Sequence, residues 1–504
     1  MSSIQNLLSL IIFFPIFIGI VTFFQKKHGS QVYQLISVSF IVLFLFLGIV
    51  IYRKFDKNIG FSLQLVEKKF WFSFLEENRI DYFLGVDGIS LIFVSLNLFI
   101  SSLMVFASYH RKKYSFSYLG MIFLISGLSN GVFLSINYFL LYFFLETLIF
   151  PICLSICIFG GGARVKASVQ YFFYMIIGSV FLLIFFLISV NNKSPCELNS
   201  AFSFQFLFNK SNNFQLFMFV SMFIPFAIKV PIWPFHSWLP EAHSQAPAEI
   251  SVILASIIIK IGTYGLIRFV LPLMLSLDID FGYTFVVASL FSIIYIGILT
   301  NLQTNFKKLI AYSSISHMGL VTLGIFNIPL LSSIQDMSIS LQGSLFQIFS
   351  HSLSSAGMFI SCGYIYKRVK SYEMIDFGGL AQVMPVLSSF FMFFCIANIG
   401  FPGTSGFIGE LLIIYSSLKY SFLIGFLAAL TLILSPIYTL SMYKKIFLGD
   451  LNKKIPMKSN IDISGNEIFV CLLIAIPIIF LGVSPKNLLS LFSETSYTFI
   501  KSFI

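Results

Sequence analysis

Residues 214–238 read FQLFMFVSMFIPFAIKVPIWPFHSW. From Phe214 to Ile228 the run is apolar enough for a membrane-spanning helix, and Lys229 then stands where hydrocarbon should continue. Pro231 and Pro234 follow, and because a proline lacks the N–H and its ring clashes with the preceding turn, no continuous helix passes through this stretch. A second segment repeats the device. Residues 383–418 are too long for one crossing and contain Ile399-Gly400-Phe401-Pro402-Gly403-Thr404-Ser405-Gly406. Both read as discontinuous helices, which a bilayer tolerates where the freed backbone lines a polar interior.

The rest of the chain fits that solvent. Hydrophobic residues make up 58% and charged residues 10% of the 504, with 64 phenylalanines and a mean hydropathy of +0.93. Soluble domains carry about 25% charged residues, so a soluble enzyme is excluded and an all-α polytopic membrane protein is expected. Apolar stretches of spanning length fall at 4–24, 31–52, 84–109, 115–135, 137–159, 167–190, 214–240, 248–271, 282–302, 308–328, 338–366, 383–418, 420–447 and 467–491, about fourteen helices. The breaks lie in helices 7 and 12. That offset is odd, so the units containing them run in opposite directions, and two inverted five-helix repeats follow. The expected organisation is N-terminal helices 1–3 over 1–110, a first repeat over 115–271, a second over 282–447, and helix 14 with a tail over 467–504.

The formal charge of +11 does not point to nucleic acid, because the basic residues sit in short clusters between apolar segments. Clusters such as Lys26-Lys27, Arg111-Lys112-Lys113, Lys307-Lys308 and Lys444-Lys445 put more Lys and Arg on the side reached after odd-numbered helices. That side is expected to face cytoplasm or matrix, with both termini on the other. Six scattered cysteines, Cys153, Cys157, Cys196, Cys362, Cys395 and Cys471, have no ligand-like spacing, and metal is not expected. The apolar run from Leu7 lacks a basic flank and reads as a first span, not a secretory signal.

Few ionisable groups lie deep in these spans: Glu146, Lys229, Lys260 and Glu410, joined by His317 and His351. A charge at bilayer depth costs roughly 2.5–3.5 kcal/mol on insertion scales, so such groups usually mark ion pathways, the alternative being structural ion pairs. Desolvation disfavours the charged form of a lysine and a nearby carboxylate restores it, so moving a carboxylate switches proton uptake and release. Glu146 and Lys229 form the candidate pair, Lys260 the central station and Glu410 the exit carboxylate. Ser256, Thr263 and Tyr264 share a face with Lys260, Gln347, Ser354 and Ser355 with His351, and Ser313 and Ser314 with His317. Such stripes carry water-borne protons or glue helices together. His236, Glu241 and His243, near the first break, are candidate interface or connecting residues. Gly160-Gly161-Gly162 lacks the context of a phosphate loop, and no hydrolytic triad or haem pattern appears, so redox chemistry is expected elsewhere.

Four motifs carry a resemblance: FFLE at 143–146, KVPIWPFHSWLPEAHSQAP at 229–247, KKLIAYSSISHMG at 307–319 and FPGTSGF at 401–407. They closely resemble the subunit 4 group of NADH dehydrogenase, antiporter-like proton-pumping subunits of respiratory complex I, over about helices 3 to 13. The resemblance implies that Glu146 pairs with Lys229, that Lys260 is the central protonation site, and that His317, His351 and Glu410 continue the route outward. It implies no cofactor in this subunit, with NADH, FMN, iron–sulfur clusters and ubiquinone elsewhere in the complex. It also implies antiporter-like subunits 2 and 5 as partners, with lipids such as cardiolipin. Glu410 favours subunit 4, since subunits 2 and 5 and stand-alone cation/proton antiporters typically carry lysine there. Glu241 stands where the group commonly has Asp. The abundance of Phe, Ile, Tyr, Asn and Lys beside six arginines suggests an AT-rich genome and a mitochondrial inner-membrane location, the bacterial plasma membrane being the alternative.

Overall fold

A computed structural model describes residues 6–24, 30–56, 61–74, 78–108, 115–191, 207, 210–276, 282–452 and 461–503. Lys26, Lys27, Arg111, Lys112, Lys113 and Cys196 lie outside them.

The helices are α1 Leu7–Phe24, α2 Ser30–Lys54, α3 Gly88–Ser108, α4 Ser115–Leu134, α5 Tyr138–Phe159, α6 Arg164–Asn191, α7 Asn212–Lys229 and α8 Trp238–Gln245. They continue with α9 Ala248–Ser276, α10 Gly282–Asn301, α11 Phe306–Asn327, α12 Ile334–Val369, α13 Pro385–Ile399, α14 Ser405–Tyr420, α15 Phe422–Phe447, α16 Gly465–Val483 and α17 Lys486–Lys501. Among the described residues, eleven helices are long and apolar enough to cross a membrane. The expected spans missing from that set have local causes. Helix α7 opens on Asn212, Asn213 and Gln215 and closes on Lys229, α12 is dense in serine, and α13 and α14 are the 15- and 16-residue halves of the second break.

The first break follows the prolines: α7 stops at Lys229, and Trp238 Nε1 donates to the Ile228 carbonyl at 2.9 Å, closing the chain back on itself. The second depends on glycine. Gly400 takes φ +76° and Gly403 φ +93°, conformations that side chains resist. Helix α9 is continuous yet carries two π stretches, Leu254–Ile258 and Leu266–Val270, on either side of the turn that holds Lys260. Its spanning window is wholly buried, whereas 28% of α2's is, so α9 runs through the middle of the molecule and α2 lies at its periphery.

One region differs from expectation. Between the expected spans at 31–52 and 84–109, the described residues form an antiparallel hairpin of β1 Gln64–Phe74 and β2 Asn78–Val86, and α3 starts only at Gly88. Register shifts between Gln64 and Glu67 and between Phe70 and Phe72 break the two-residue alternation that would have betrayed the strands. The hairpin seats Glu67 on the start of α1, where its carboxylate accepts from Leu8 N at 2.7 Å and Ser9 Oγ at 2.5 Å. Burial pushes the neighbouring Tyr82 phenol up to about 12, so it stays a neutral partner for Ser9 Oγ at 2.9 Å.

Candidate proton pathway

Glu146 sits on α5, whose first turn is capped by Asn137 accepting from Phe139 N at 2.8 Å. Its Oε1 is buried without a hydrogen-bond partner, and Ser179 of α6 and Lys229 are the groups that act on the carboxylate. Lys229 occupies the last turn of α7, where the carbonyl end of the helix favours a cation. The two act on each other through space, and no direct ion pair joins them among the described residues. Helix α9 crosses this point at Gly262, where a Cβ would lie 2.7 Å from Val230 N, so only glycine lets the Lys260 helix lie against the broken end.

Lys260 is fully buried. Its Nζ donates to the Ala255 carbonyl at 2.8 Å, inside the first π stretch, and meets His351 Nδ1 at 2.7 Å. His351 Nε2 is buried without a partner, and its ring centroid lies 5.7 Å from that of His317. His317 Nδ1 lies 3.4 Å from Glu410 Oε1 and its Nε2 3.4 Å from the Tyr438 hydroxyl. Gln347 Nε2 donates to the same Glu410 oxygen at 3.1 Å, while Oε2 is buried and unpartnered. Lys260, His351, His317 and Glu410, from α9, α12, α11 and α14, thus form one line through the interior. A proton passing from Lys260 Nζ to His351 Nδ1 moves the charge one station along it, and the imidazole can release a proton from its other nitrogen. Gly400 completes the far end, since a Cβ there would stand 2.5 Å from Glu410 Oε2.

Most of the stripe hydroxyls donate to backbone. Thr263, Ser313, Ser314, Ser354 and Ser355 donate to carbonyls of their own helices, and Tyr264 reaches Phe133 O. Ser256 crosses from α9 to Ser352 O of α12 at 2.8 Å. These donors bond to backbone and so fix helices, while among the described residues Gln347 alone of the named stripe residues hydrogen-bonds to the side chain of one of the buried ionisable groups.

Of the residues near the first break, His243 is fully buried on α8, stacks on Phe359 at 4.5 Å between ring centroids, and has no partner on either ring nitrogen. Lys307 and Lys260 both act on it, and it acts on His351. His236 is half-buried with Nδ1 unpartnered. Glu241 pairs with Lys308 Nζ at 2.6 Å at a partly exposed rim. Lys307, counted by sequence with the loop charges, is fully buried: its Nζ donates to Ala246 O and lies over Tyr372. Arg268, inside the expected 248–271 span but not named among the deep charges, is buried in the second π stretch and pairs with Asp87 at 2.5 Å. Arginine inside the expected 248–271 span was the available signal.

Residues 135–435 match the family described as NADH:quinone oxidoreductase/Mrp antiporter, TM, a stretch that contains Glu146, Lys229, Lys260, His317, His351 and Glu410. The chain belongs to that family. NADH-quinone oxidoreductase subunit M of Rickettsia bellii is 37% identical over 474 residues, covering 93% of this chain and 92% of that one. NADH-ubiquinone oxidoreductase chain 4 of Arabidopsis thaliana is 34% identical over 481 residues, covering 95% and 94%. Among solved structures, respiratory complex I from Thermus thermophilus with bound NADH contains a chain that superposes with a TM-score of 0.83 at 23% identity, covering 99% of this chain and all of that one. The Mrp complex from Dietzia sp. DQ12-45-1b gives 0.83 at 16% identity with full coverage of both chains. At these identities the structural matches establish the fold of this antiporter family.

Proposed function

We propose that the chain is a core membrane-arm subunit of NADH:ubiquinone oxidoreductase that translocates protons while other subunits pass electrons from NADH to ubiquinone. The observation that carries this reading is the 2.7 Å bond between Lys260 Nζ and His351 Nδ1 at the head of a buried line ending on Glu410. NADH, FMN, iron–sulfur clusters and ubiquinone belong to the other subunits, and the enzymatic activity is that of the whole complex.

In this reading Glu146 and Lys229 are the coupled pair, Lys260 the central station, and His351, His317 and Glu410 the route outward. His243 connects Lys260 to the basic side, and His236 and Glu241 border the break. The buried and unpartnered Glu146 Oε1 supports a switching role, because a carboxylate tied only through Ser179 can respond to the position of the Lys229 charge. We read the chain as fourteen crossings in two inverted five-helix repeats, 115–271 and 282–447, flanked by 1–110 and 467–504. Both termini then face the intermembrane space of the mitochondrial inner membrane. Antiporter-like subunits 2 and 5 are the proposed neighbours, with cardiolipin as a bound lipid. The high identity to bacterial subunit M keeps the plasma membrane as the alternative setting.

The test is proton pumping per NADH oxidised in membranes carrying Lys260→Ala, with assembly of the complex followed in parallel. Loss of pumping in an assembled complex is expected. Normal pumping and oxidation would reduce the buried charges to a scaffold and end this reading.

A further inference from the structure

A cavity of about 370 Å³ opens where α3, α5 and α12 end and α9 and α16 begin. Four charged side chains line it: Glu249, Lys367, Lys370 and Glu467. Three of these are accounted for by the fold or stand at its edge. Glu467 is held by Lys367 at 2.9 Å, Arg368 at 2.6 Å and Ser464 N at 2.9 Å, a capping box that anchors α16 to α12. Lys370 ends α12 in the left-handed conformation, beside Tyr366. Glu249 is the remaining one, a buried carboxylate in the first turn of α9 that accepts from the Tyr118 hydroxyl at 2.9 Å.

Glu249 stands on the same helix as Lys260, eleven residues earlier, a rise of about 16 Å. That is too far for one hydrogen bond, so a relay needs an intermediate group, and the candidate is His243 of α8. Its backbone carbonyl accepts from Ser251 Oγ at 3.4 Å, its ring lies within the fields of Lys307, Lys260 and His351, and both its nitrogens are buried without partners. Gln245 and Ala246, two and three residues on, already form the cavity wall. At roughly 30 Å³ per water the cavity holds on the order of ten waters, and unpartnered buried nitrogens are where such waters bond.

We propose that Glu249 is the carboxylate that takes protons from this vestibule and passes them, through His243 and water, to Lys260. The proposal rests on Lys260 being a proton station. The step is a relay: Glu249 loses its proton inward and regains one from vestibule water, so no electron or co-reactant is involved. Tyr118 is a positioning residue that fixes the carboxylate, and Tyr364, Tyr366, Lys367, Lys370, Tyr372 and Glu467 are the other titratable groups lining the cavity.

The experiment measures pumping per NADH in vesicles of the whole complex carrying Glu249→Gln, Glu249→Asp or Lys260→Ala. Independently, Ser244→Cys, on the cavity wall, is treated in the assembled complex with a membrane-impermeant thiol reagent from the basic side, against treated wild type. Glu249→Gln is expected to lose at least about threefold in pumping, Glu249→Asp to recover most of it, and labelled Ser244→Cys to fall by a similar factor. If Glu249→Gln fails to assemble, the labelled Ser244→Cys complex decides, and unchanged pumping there overturns the proposal. Equal loss in Glu249→Gln and Glu249→Asp marks a packing role and overturns it too. Full pumping in Glu249→Gln with none in Lys260→Ala removes Glu249 but leaves the Lys260 reading intact, whereas full pumping in Lys260→Ala removes both.

Discussion

Glu410 illustrates how one backbone position governs a buried charge. Gly400 adopts φ +76°, and a Cβ on it would sit 2.5 Å from Glu410 Oε2 and 2.9 Å from its Cδ. An alanine there would carry a left-handed penalty of about 1–2 kcal/mol and would also have to push the carboxylate away. The flexible partner is the side chain, so Glu410 moves off His317 and Gln347 before the helix break does. Gly400→Ala is therefore expected to cut pumping roughly tenfold, matching a loss of at least 1.4 kcal/mol at the station, while the complex still assembles. Proton flux per NADH checks this against the amount of assembled complex, and full flux would show that Glu410 carries no proton. The buried ionisable residues themselves were legible because an ionisable group in an apolar helix stands out by composition alone. Which groups touch was not: the Lys260–His351 bond joins residues 91 apart, and the Glu146–Lys229 pairing implied by resemblance is a through-space relation here.

At the scale of elements, the discontinuous helices could be read because proline and glycine act locally, and each break falls where the sequence put it. The hairpin could not, because its two register shifts erase the alternating pattern and the buried residue of β1 is a charge. That charge, Glu67, does the work of an N-cap for α1 from 59 residues away. Its two oxygens accept from Leu8 N, Ser9 N and Ser9 Oγ, and its negative charge faces the positive end of the helix dipole. Glu67→Gln keeps the shape but removes the charge and one acceptor, and about 1–2 kcal/mol of α1 anchoring should go with them. Faster proteolysis or hydrogen exchange at the start of α1 would register it, whereas unchanged protection would show that the hairpin leaves α1 unsupported. The Arg268–Asp87 pair ties α9 to the start of α3 in the same manner. Asp87→Ala leaves a buried guanidinium without its carboxylate, a loss of about 3–5 kcal/mol, and the double variant Asp87→Leu with Arg268→Met should recover much of it. Thermal melting of the purified complex distinguishes the two, since a double variant as unstable as the single one would mean the ion pair is not what joins these helices.

For the whole molecule, the question is how the helices are threaded through the bilayer, because a proton line has a direction only if its ends face different compartments. Eleven helices qualify by length and hydropathy, and α7, α12 and the α13–α14 pair miss through polar content or interruption. Counting each of these as one crossing gives fourteen, and the two broken segments then lie in units of opposite sense. This threading makes a prediction at four exposed positions. Gly162, between α5 and α6, and Asp450, after α15, should share the basic side, while Lys419, at the end of α14, and Lys501, at the end of α17, should share the other. A cysteine placed singly at each, in sealed vesicles of known orientation, should react with an impermeant thiol reagent in that two-and-two pattern. The outcome bears directly on the chemistry. If Asp450 labels from the side opposite Gly162, an odd number of crossings separates them, the repeats are not inverted, and the vestibule beside Glu249 would no longer open to the compartment from which Lys260 is to be charged.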